Sequence, residues 1–186
     1  MIWLIACGPN PPTVTLGPEG ATTDNAISAH LTNIENDEFG DPVEHDFEWF
    51  LDGAPFEDHL GDSVAVGYTE KGQRWEVVVT AVGGRRSASD ALKIANALPE
   101  VSIYLPESAA TDEDLVAYLY EDDPDEGDEL TFEVWWTVDG EDSDITDTTV
   151  SASATDSGQT WTIHVVPSDG DDPGEETTAS VAVDWI

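Results

Sequence analysis

The amino-acid sequence predicts an all-β protein in which one β-sandwich domain occurs twice in tandem, with no helices of note. Four segments recur in the same order at a nearly constant offset. Apolar residues in the longest segments alternate with a period of two, which is typical of strands with one buried face. Eleven Pro and fifteen Gly interrupt every stretch in which a helical period could run. We therefore expect short strands separated by turns, with about 90 residues in each copy.

The repeat consists of four pairs of segments at offsets of 86 to 88 residues. The pairs are PTVTL (from Pro12) with PEVSI (Pro99), TTDNAISAHL (Thr22) with ATDEDLVAYL (Ala110), GDPVEHDFEWFLDG (Gly40) with GDELTFEVWWTVDG (Gly127), and GQRWEVVVTAVGG (Gly72) with GQTWTIHVVPSDG (Gly158). The seam falls near residues 95–99. The predicted domains are residues 11–96 and 97–186, and residues 1–10 precede them as a signal remnant and stalk.

Strand periodicity assigns the tryptophans to two environments. Residues 43–51 and 130–138 place aromatic and aliphatic side chains on one side, and the two following G-Q-x-W segments do the same. The predicted core tryptophans are Trp49, Trp75, Trp136 and Trp161. Trp135 precedes an inward-facing residue, so it should face outward, where it could act as a contact point. Further strands are expected near 13–17, 26–32, 63–67, 87–94, 100–105, 114–120, 149–154 and 178–186.

Charge excludes several classes of partner. The chain has 41 acidic and 5 basic residues, which gives a formal net charge of −36. A nucleic acid or an anionic bilayer would be repelled by such a surface. Every basic residue falls in one short region, which contains Lys71, Arg74, Arg85, Arg86 and Lys93.

Each copy resembles the tandem immunoglobulin-like repeats of bacterial surface proteins, which are grouped with cadherin-like and PKD-like modules. The resemblance is carried by P-x-V at Pro12 and Pro99, by TTD and ATD before the second strand, and by the paired segments that end in DG. It implies immunoglobulin-like sandwiches with Trp49 and Trp136 in the middle, and an extracellular location. The single cysteine departs from the antibody type, in which a cysteine pair links the sheets.

Two acidic loops of the second copy are candidates for a calcium site. They are EDDPDEGDE, residues 121–129, and SDGDDPGEE, residues 168–176, and we expect them to converge near the seam. Calcium takes six to eight oxygen ligands, which dense carboxylates could supply. The resemblance points the same way, since cadherin-like modules hold calcium at their junctions. The alternative is that both loops are solvated turns. The candidate ligands are Asp122, Asp123, Asp125, Asp128, Asp169, Asp171 and Asp172.

The sequence favours a non-enzymatic function. The four histidines share no metal-binding spacing, and nucleophile-elbow and phosphate-loop motifs are absent. Two interpretations stay open: a structural or adhesive spacer at the cell surface, or a surface module that binds a carbohydrate or a protein and that calcium could stiffen. The partner would then be an unidentified protein or glycan.

The segment LIACG, residues 4–8, resembles the bacterial lipoprotein box. It has Leu three residues before Cys7, a small residue on each side, and PNPP after it as a stiff stalk. The resemblance implies that Cys7 is lipidated and that the chain is anchored to the outer surface of the cell envelope. The apolar stretch is shorter than a usual signal, so we expect an in-frame, Lys/Arg-rich apolar extension upstream.

Overall fold

The computed structural model describes residues 9–58, 61–84 and 87–185. Cys7 and the rest of LIACG lie outside these residues. The chain divides into two compact units, residues 1–97 and 98–186. The predicted fold class, all-β with two tandem immunoglobulin-like sandwiches, is confirmed: in the described ranges the helical structure is limited to the 3₁₀ turn Ala152–Ala154. Those ranges contain no helix of a length and hydrophobicity suited to crossing a membrane.

The first unit is a sandwich of two antiparallel sheets. The strands are β1 (Thr13–Gly17), β2 (Ile27–Thr32), β3 (His45–Leu51), β4 (Ala54–Phe56), β5 (Ser63–Val64), β6 (Arg74–Ala81) and β7 (Ser87–Lys93). One sheet has the order β1-β2-β5 and the other the order β4-β3-β6-β7. The core lies between them.

The second unit repeats this plan, but its chain crosses from one sheet to the other directly after its first strand. The strands are β8 (Glu100–Tyr104), β9 (Ser108–Ala110), β10 (Leu115–Val116), β11 (Tyr118–Asp122), β12 (Thr131–Val138), β13 (Glu141–Asp142), β14 (Thr149–Val150), β15 (Thr160–Ser168) and β16 (Thr177–Asp184). On one side β8 pairs with β11 and β10 with β14, and the other side is a sheet of order β13-β12-β15-β16-β9. The short β9 runs parallel to β16.

Three predicted strands differ from the structure. The strand expected at 149–154 ends at Val150, because the Ser151 hydroxyl accepts a hydrogen bond from the Ser153 N–H and starts the 3₁₀ turn. The strand expected at 114–120 is split at Ala117, because Leu115 and Val116 pair with β14 whereas the residues from Tyr118 onward pair with β8. The strand expected at 63–67 has only two residues.

The short strands β4 and β13 were not predicted, although the sequence contains their signal. Each follows an Asp-Gly pair, Asp52-Gly53 or Asp139-Gly140, in which both residues have positive φ, between 50° and 86°. Two consecutive residues with positive φ make the two-residue hairpin turn that Asp-Gly favours. The Asp52 and Asp139 carboxylates also accept backbone N–H groups from the start of β6 and β15.

A perpendicular pair of tryptophans fills the core of each unit. The ring centroids of Trp49 and Trp75 lie 6.3 Å apart with the planes at 74°, and those of Trp136 and Trp161 lie 6.3 Å apart at 71°. All four side chains are buried. In each unit the two rings come from adjacent strands and occupy diagonal positions on the inward face. Edge-to-face geometry is favourable for aromatic rings at this separation.

A glutamine connects the second tryptophan of each pair to a turn. Gln159 Oε1 accepts a hydrogen bond from Trp161 Nε1 at 3.0 Å and another from the backbone N–H of Asp156 at 2.8 Å. Gln73 makes the same two bonds in the first unit. The G-Q-x-W pattern therefore encodes a buried tryptophan together with the acceptor that its N–H requires.

Replacing Gln159 with alanine should destabilise the second unit. The Q159A variant leaves the indole N–H of Trp161 and the N–H of Asp156 without their acceptor, which lowers the free energy of unfolding by about 1 to 3 kcal/mol. Denaturant unfolding followed by tryptophan fluorescence measures this change. The exposed substitution T178A on β16 should change it by less than about 0.5 kcal/mol. Equal effects of the two variants would contradict the role of Gln159.

Candidate cation site in the second unit

Three carboxylates converge in the loop that joins β11 to β12. Asp123, Asp125 and Asp128 each present one oxygen, and these oxygens all lie within 4.8 Å of one another. Asp125 is only 4% exposed, which is unusual for an aspartate. Among the residues that the structure describes, these three are the ones whose ligand atoms lie close enough together to hold a single metal ion.

Local turn chemistry brings the three carboxylates together. The Asp123 Oδ1 accepts a hydrogen bond from the Asp125 N–H at 2.8 Å, which folds the chain back over Pro124. Gly127 then adopts a φ of 99°, a conformation that side-chain-bearing residues rarely adopt. The Asp128 N–H points back at the Asp125 carbonyl, at 3.4 Å. The loop thus directs the side chains of Asp123, Asp125 and Asp128 toward one point.

The second carboxylate oxygen of Asp123 is in an unfavourable environment. Asp123 Oδ2 is buried and accepts no hydrogen bond. Desolvation raises the pKa of Asp123 above its ordinary value of 3.8, and the negative charges of Asp125, Asp128 and Asp169 raise it further. The hydrogen bond from the Asp125 N–H lowers the pKa but does not outweigh these effects. A carboxylate that is buried among like charges favours either a proton or a cation as its neighbour.

The second acidic loop of this unit lies beside the first. Asp169 is close enough to raise the pKa of Asp123 electrostatically. The loop is held against the beginning of β8, because Gly174 packs so tightly on the Pro99 carbonyl oxygen that a Cβ at this glycine would clash with it. The two acidic loops of the second unit therefore converge, as the sequence predicted.

Not every predicted ligand belongs to the cluster. Asp122 is the last residue of β11, where it pairs with Glu100, so it does not lie in the loop. The Asp169 Oδ1 accepts hydrogen bonds from the N–H groups of Asp171 and Asp172, both at 2.8 Å. Asp169 thus contributes charge near Asp123, whereas Asp122, Asp171 and Asp172 are not members of the three-carboxylate group.

Trp135 lies on the outward face of β12, but its ring already has a neighbour. It stacks on the imidazole of His164, directly opposite on β15, with centroids 4.9 Å apart and planes at 11°. His164 Nδ1 lies 2.6 Å from Glu176 Oε1. The predicted contact residue is therefore half-buried in a stacked pair. Sequence reasoning missed His164 because the pairing depends on the β12–β15 register.

Comparisons with known proteins give structural resemblance only. No protein-family model and no curated protein matches the chain. Among solved structures, three N-terminal domains of the highly immunogenic outer capsid protein (Hoc) of bacteriophage RB49 match 94% of the chain with 17% identity and a TM-score of 0.37. The chain spans 59% of that Hoc structure.

Two structures of fibronectin type III domains from chicken also match. The FN1-FN3 domains of chicken CNTN1 cover 94% of the chain with 12% identity and a TM-score of 0.39, and the chain covers 67% of that structure. A two-domain fibronectin type III segment of chicken tenascin covers 93% of the chain with 11% identity and a TM-score of 0.45, and is itself covered to 99%. The tenascin segment thus matches along nearly its whole length.

Replacing Asp123 with asparagine should stabilise the second unit in the absence of divalent cations. The amide keeps the acceptor for the Asp125 N–H and removes the buried charge. Because the pKa of Asp123 is raised on folding, its ionisation costs the folded state stability as pH rises above 3.8, and this cost persists at neutral pH. In EDTA at pH 7, D123N should therefore melt at a higher temperature than the unsubstituted chain.

The pH dependence and a loop control make this prediction specific. The difference in melting temperature between D123N and the unsubstituted chain should shrink as the pH falls toward 3.8 and disappear well below it, where the carboxyl group is protonated in both states. Replacing the exposed Glu126 of the same loop with glutamine should have a smaller effect. If D123N melts at a lower temperature than the unsubstituted chain in EDTA, the ionised carboxylate of Asp123 does not destabilise the folded state.

Proposed function

We propose that the chain is a non-enzymatic structural or adhesive module of the cell surface whose second unit binds a calcium-class cation. One observation carries the cation assignment: the buried Asp123 Oδ2, which accepts no hydrogen bond, lies in a loop with two further converging carboxylates. The structural role is supported by the duplication of packing features, since both units contain the tryptophan pair, its glutamine and the Asp-Gly hairpin.

The donor set fits a hard divalent cation. Asp123, Asp125 and Asp128 offer only oxygen, in a loop with Pro and Gly turns. Calcium accepts carboxylates, backbone carbonyls and waters in flexible geometry, whereas zinc sites use His and Cys as well. A bound dication would neutralise the charges that surround Asp123 and would fix the loop between β11 and β12. The proposed effect is a stiffer second unit in the presence of calcium.

Calcium should bind the intact chain and raise its melting temperature. Titration calorimetry in a buffer without other divalent cations should show saturable binding, and scanning calorimetry should show the stabilisation that ligand binding to a folded state requires. D123N, D125N and D128N should each lose most of the binding. E126Q and D122N should retain it, because Glu126 and Asp122 lie outside the three-carboxylate group. A flat titration together with an unchanged melting temperature would contradict the proposal.

We also infer that the module is held at the outer surface of the cell envelope by lipid on Cys7. The support is the resemblance of LIACG to the lipoprotein box, together with a net charge that would repel an anionic bilayer. Expressed in a bacterial host behind a complete lipoprotein signal, the chain should partition into detergent and carry the mass of a diacylglyceryl group. The C7S variant should do neither. A cysteine recovered without lipid would contradict the anchor.

A further inference from the structure

The outward face of β8 and β11 presents a group of exposed aromatic residues. The two strands are antiparallel, and their outward residues form three rungs: Tyr104 opposite Tyr118, Ser102 opposite Tyr120, and Glu100 opposite Asp122. We call these six residues the tyrosine face. It contains three of the four tyrosines of the chain.

The tyrosine rings do not contribute to the core. Tyr104, Tyr118 and Tyr120 are 57%, 56% and 63% exposed, although the rings of Tyr104 and Tyr118 contact each other with centroids 6.2 Å apart. The core is packed instead by the alternating residues of the same strands, such as Val101 and Leu119. Aromatic residues are enriched in protein–protein interfaces, and a contiguous exposed group of them indicates a contact surface.

The negative charge of the tyrosine face favours a cationic partner. The rung of Glu100 and Asp122 puts two carboxylates directly opposite each other, an arrangement that destabilises a pair of strands. The second unit has 25 of the 41 acidic residues and no Lys or Arg, so it contains no ammonium or guanidinium side chain to neutralise this rung. A cationic group from outside would pair with the carboxylates and could also lie on a tyrosine ring.

The first unit lacks this face. In the repeat, the positions of Tyr104, Tyr118 and Tyr120 correspond to Gly17, His30 and Thr32. The tyrosines are therefore not a requirement of the fold, which both units share.

We propose that the tyrosine face binds a segment of a partner protein that is rich in arginine or lysine. Guanidinium groups stack on aromatic rings and pair with carboxylates, so arginine matches both parts of the face. A second copy of this chain is a poor occupant, because two copies with a net charge of −36 repel each other. This inference does not depend on cation binding by Asp123, Asp125 and Asp128.

The test must separate the tyrosine face from general attraction between opposite charges. An octa-arginine peptide is titrated into the intact chain in EDTA and salt of about 0.15 M, which screens exposed charges beyond about 8 Å. The variant Y104S/Y118S/Y120S has an unchanged net charge. Since each exposed cation–π contact contributes roughly twofold to fivefold in affinity, the triple variant should bind about tenfold more weakly or worse. The control F39S removes a ring that is 82% exposed in the first unit and should bind within twofold of the unsubstituted chain.

Charge variants give a second comparison with a matched control. E100Q/D122N and E19Q/E38Q each remove two exposed carboxylates, the first pair from the tyrosine face and the second from the first unit. Only E100Q/D122N should weaken binding beyond the loss expected from net charge. Equal losses in the two double variants, together with unchanged affinity of the triple tyrosine variant, would overturn the proposal and leave only non-specific charge attraction.

Ring-labelled tyrosine NMR reports on the unsubstituted chain directly, so the test stands even if a variant fails to fold. On addition of the peptide, the signals of Tyr104, Tyr118 and Tyr120 should shift. The signal of Tyr68, which packs edge-on against Phe56 in the first unit, should stay in place. Peptide-independent broadening with rising protein concentration would instead show self-association at this face and would contradict a basic partner.

Discussion

The structure of each unit depends on two tryptophans that meet at nearly a right angle between the sheets. Large rings stabilise a sandwich of this size because each buries much apolar area. Their indole N–H groups must also find acceptors once water is excluded. Trp49 and Trp136 donate to the backbone carbonyls of Gly61 and Asp147, and the other two donate to a glutamine. These bonds fix where the neighbouring loops and turns pass.

This arrangement is complete within each copy, so the loops and outward faces are free to diverge. The repeat keeps the inward residues and the Asp-Gly turns but changes other positions. The second unit has a loop with three converging carboxylates. It also has tyrosines at strand positions where the first unit has Gly, His and Thr. The conserved packing supplies the scaffold, and the divergent loop and face are the parts that we propose bind a cation and a basic partner.

Periodicity in the sequence was sufficient to predict the scaffold. Successive side chains of a strand point to opposite faces of the sheet, so burying one face requires an apolar residue at every second position. Periodicity failed where a side chain competed with the ladder, as at Ser151, whose hydroxyl captures a nearby N–H. The sequence pattern also assigned Asp122 to the acidic loop 121–129, although β11 continues through that residue. Composition predicted an acidic loop but could not show that Asp123 has a buried oxygen without a donor.

The tyrosine face could not be predicted because it depends on strand register. In the first unit Thr15 lies opposite His30, and the repeat would place Ser102 opposite Tyr118. The structure places Tyr104 there instead, two residues further along β8. A shift of two residues keeps the same residues outward but changes which of them are neighbours. The pairing of two tyrosines is therefore a property of the fold and not of the repeat pattern.

We propose that three carboxylates of one loop hold a divalent cation. Anomalous diffraction from crystals grown with calcium and then exchanged into a lanthanide such as terbium would locate this cation. We expect a strong anomalous peak within ligand distance of Asp123, Asp125 and Asp128, and none at the corresponding acidic loop of the first unit around Asp37. A map without a peak among the three carboxylates, or with equal peaks in both loops, would contradict it.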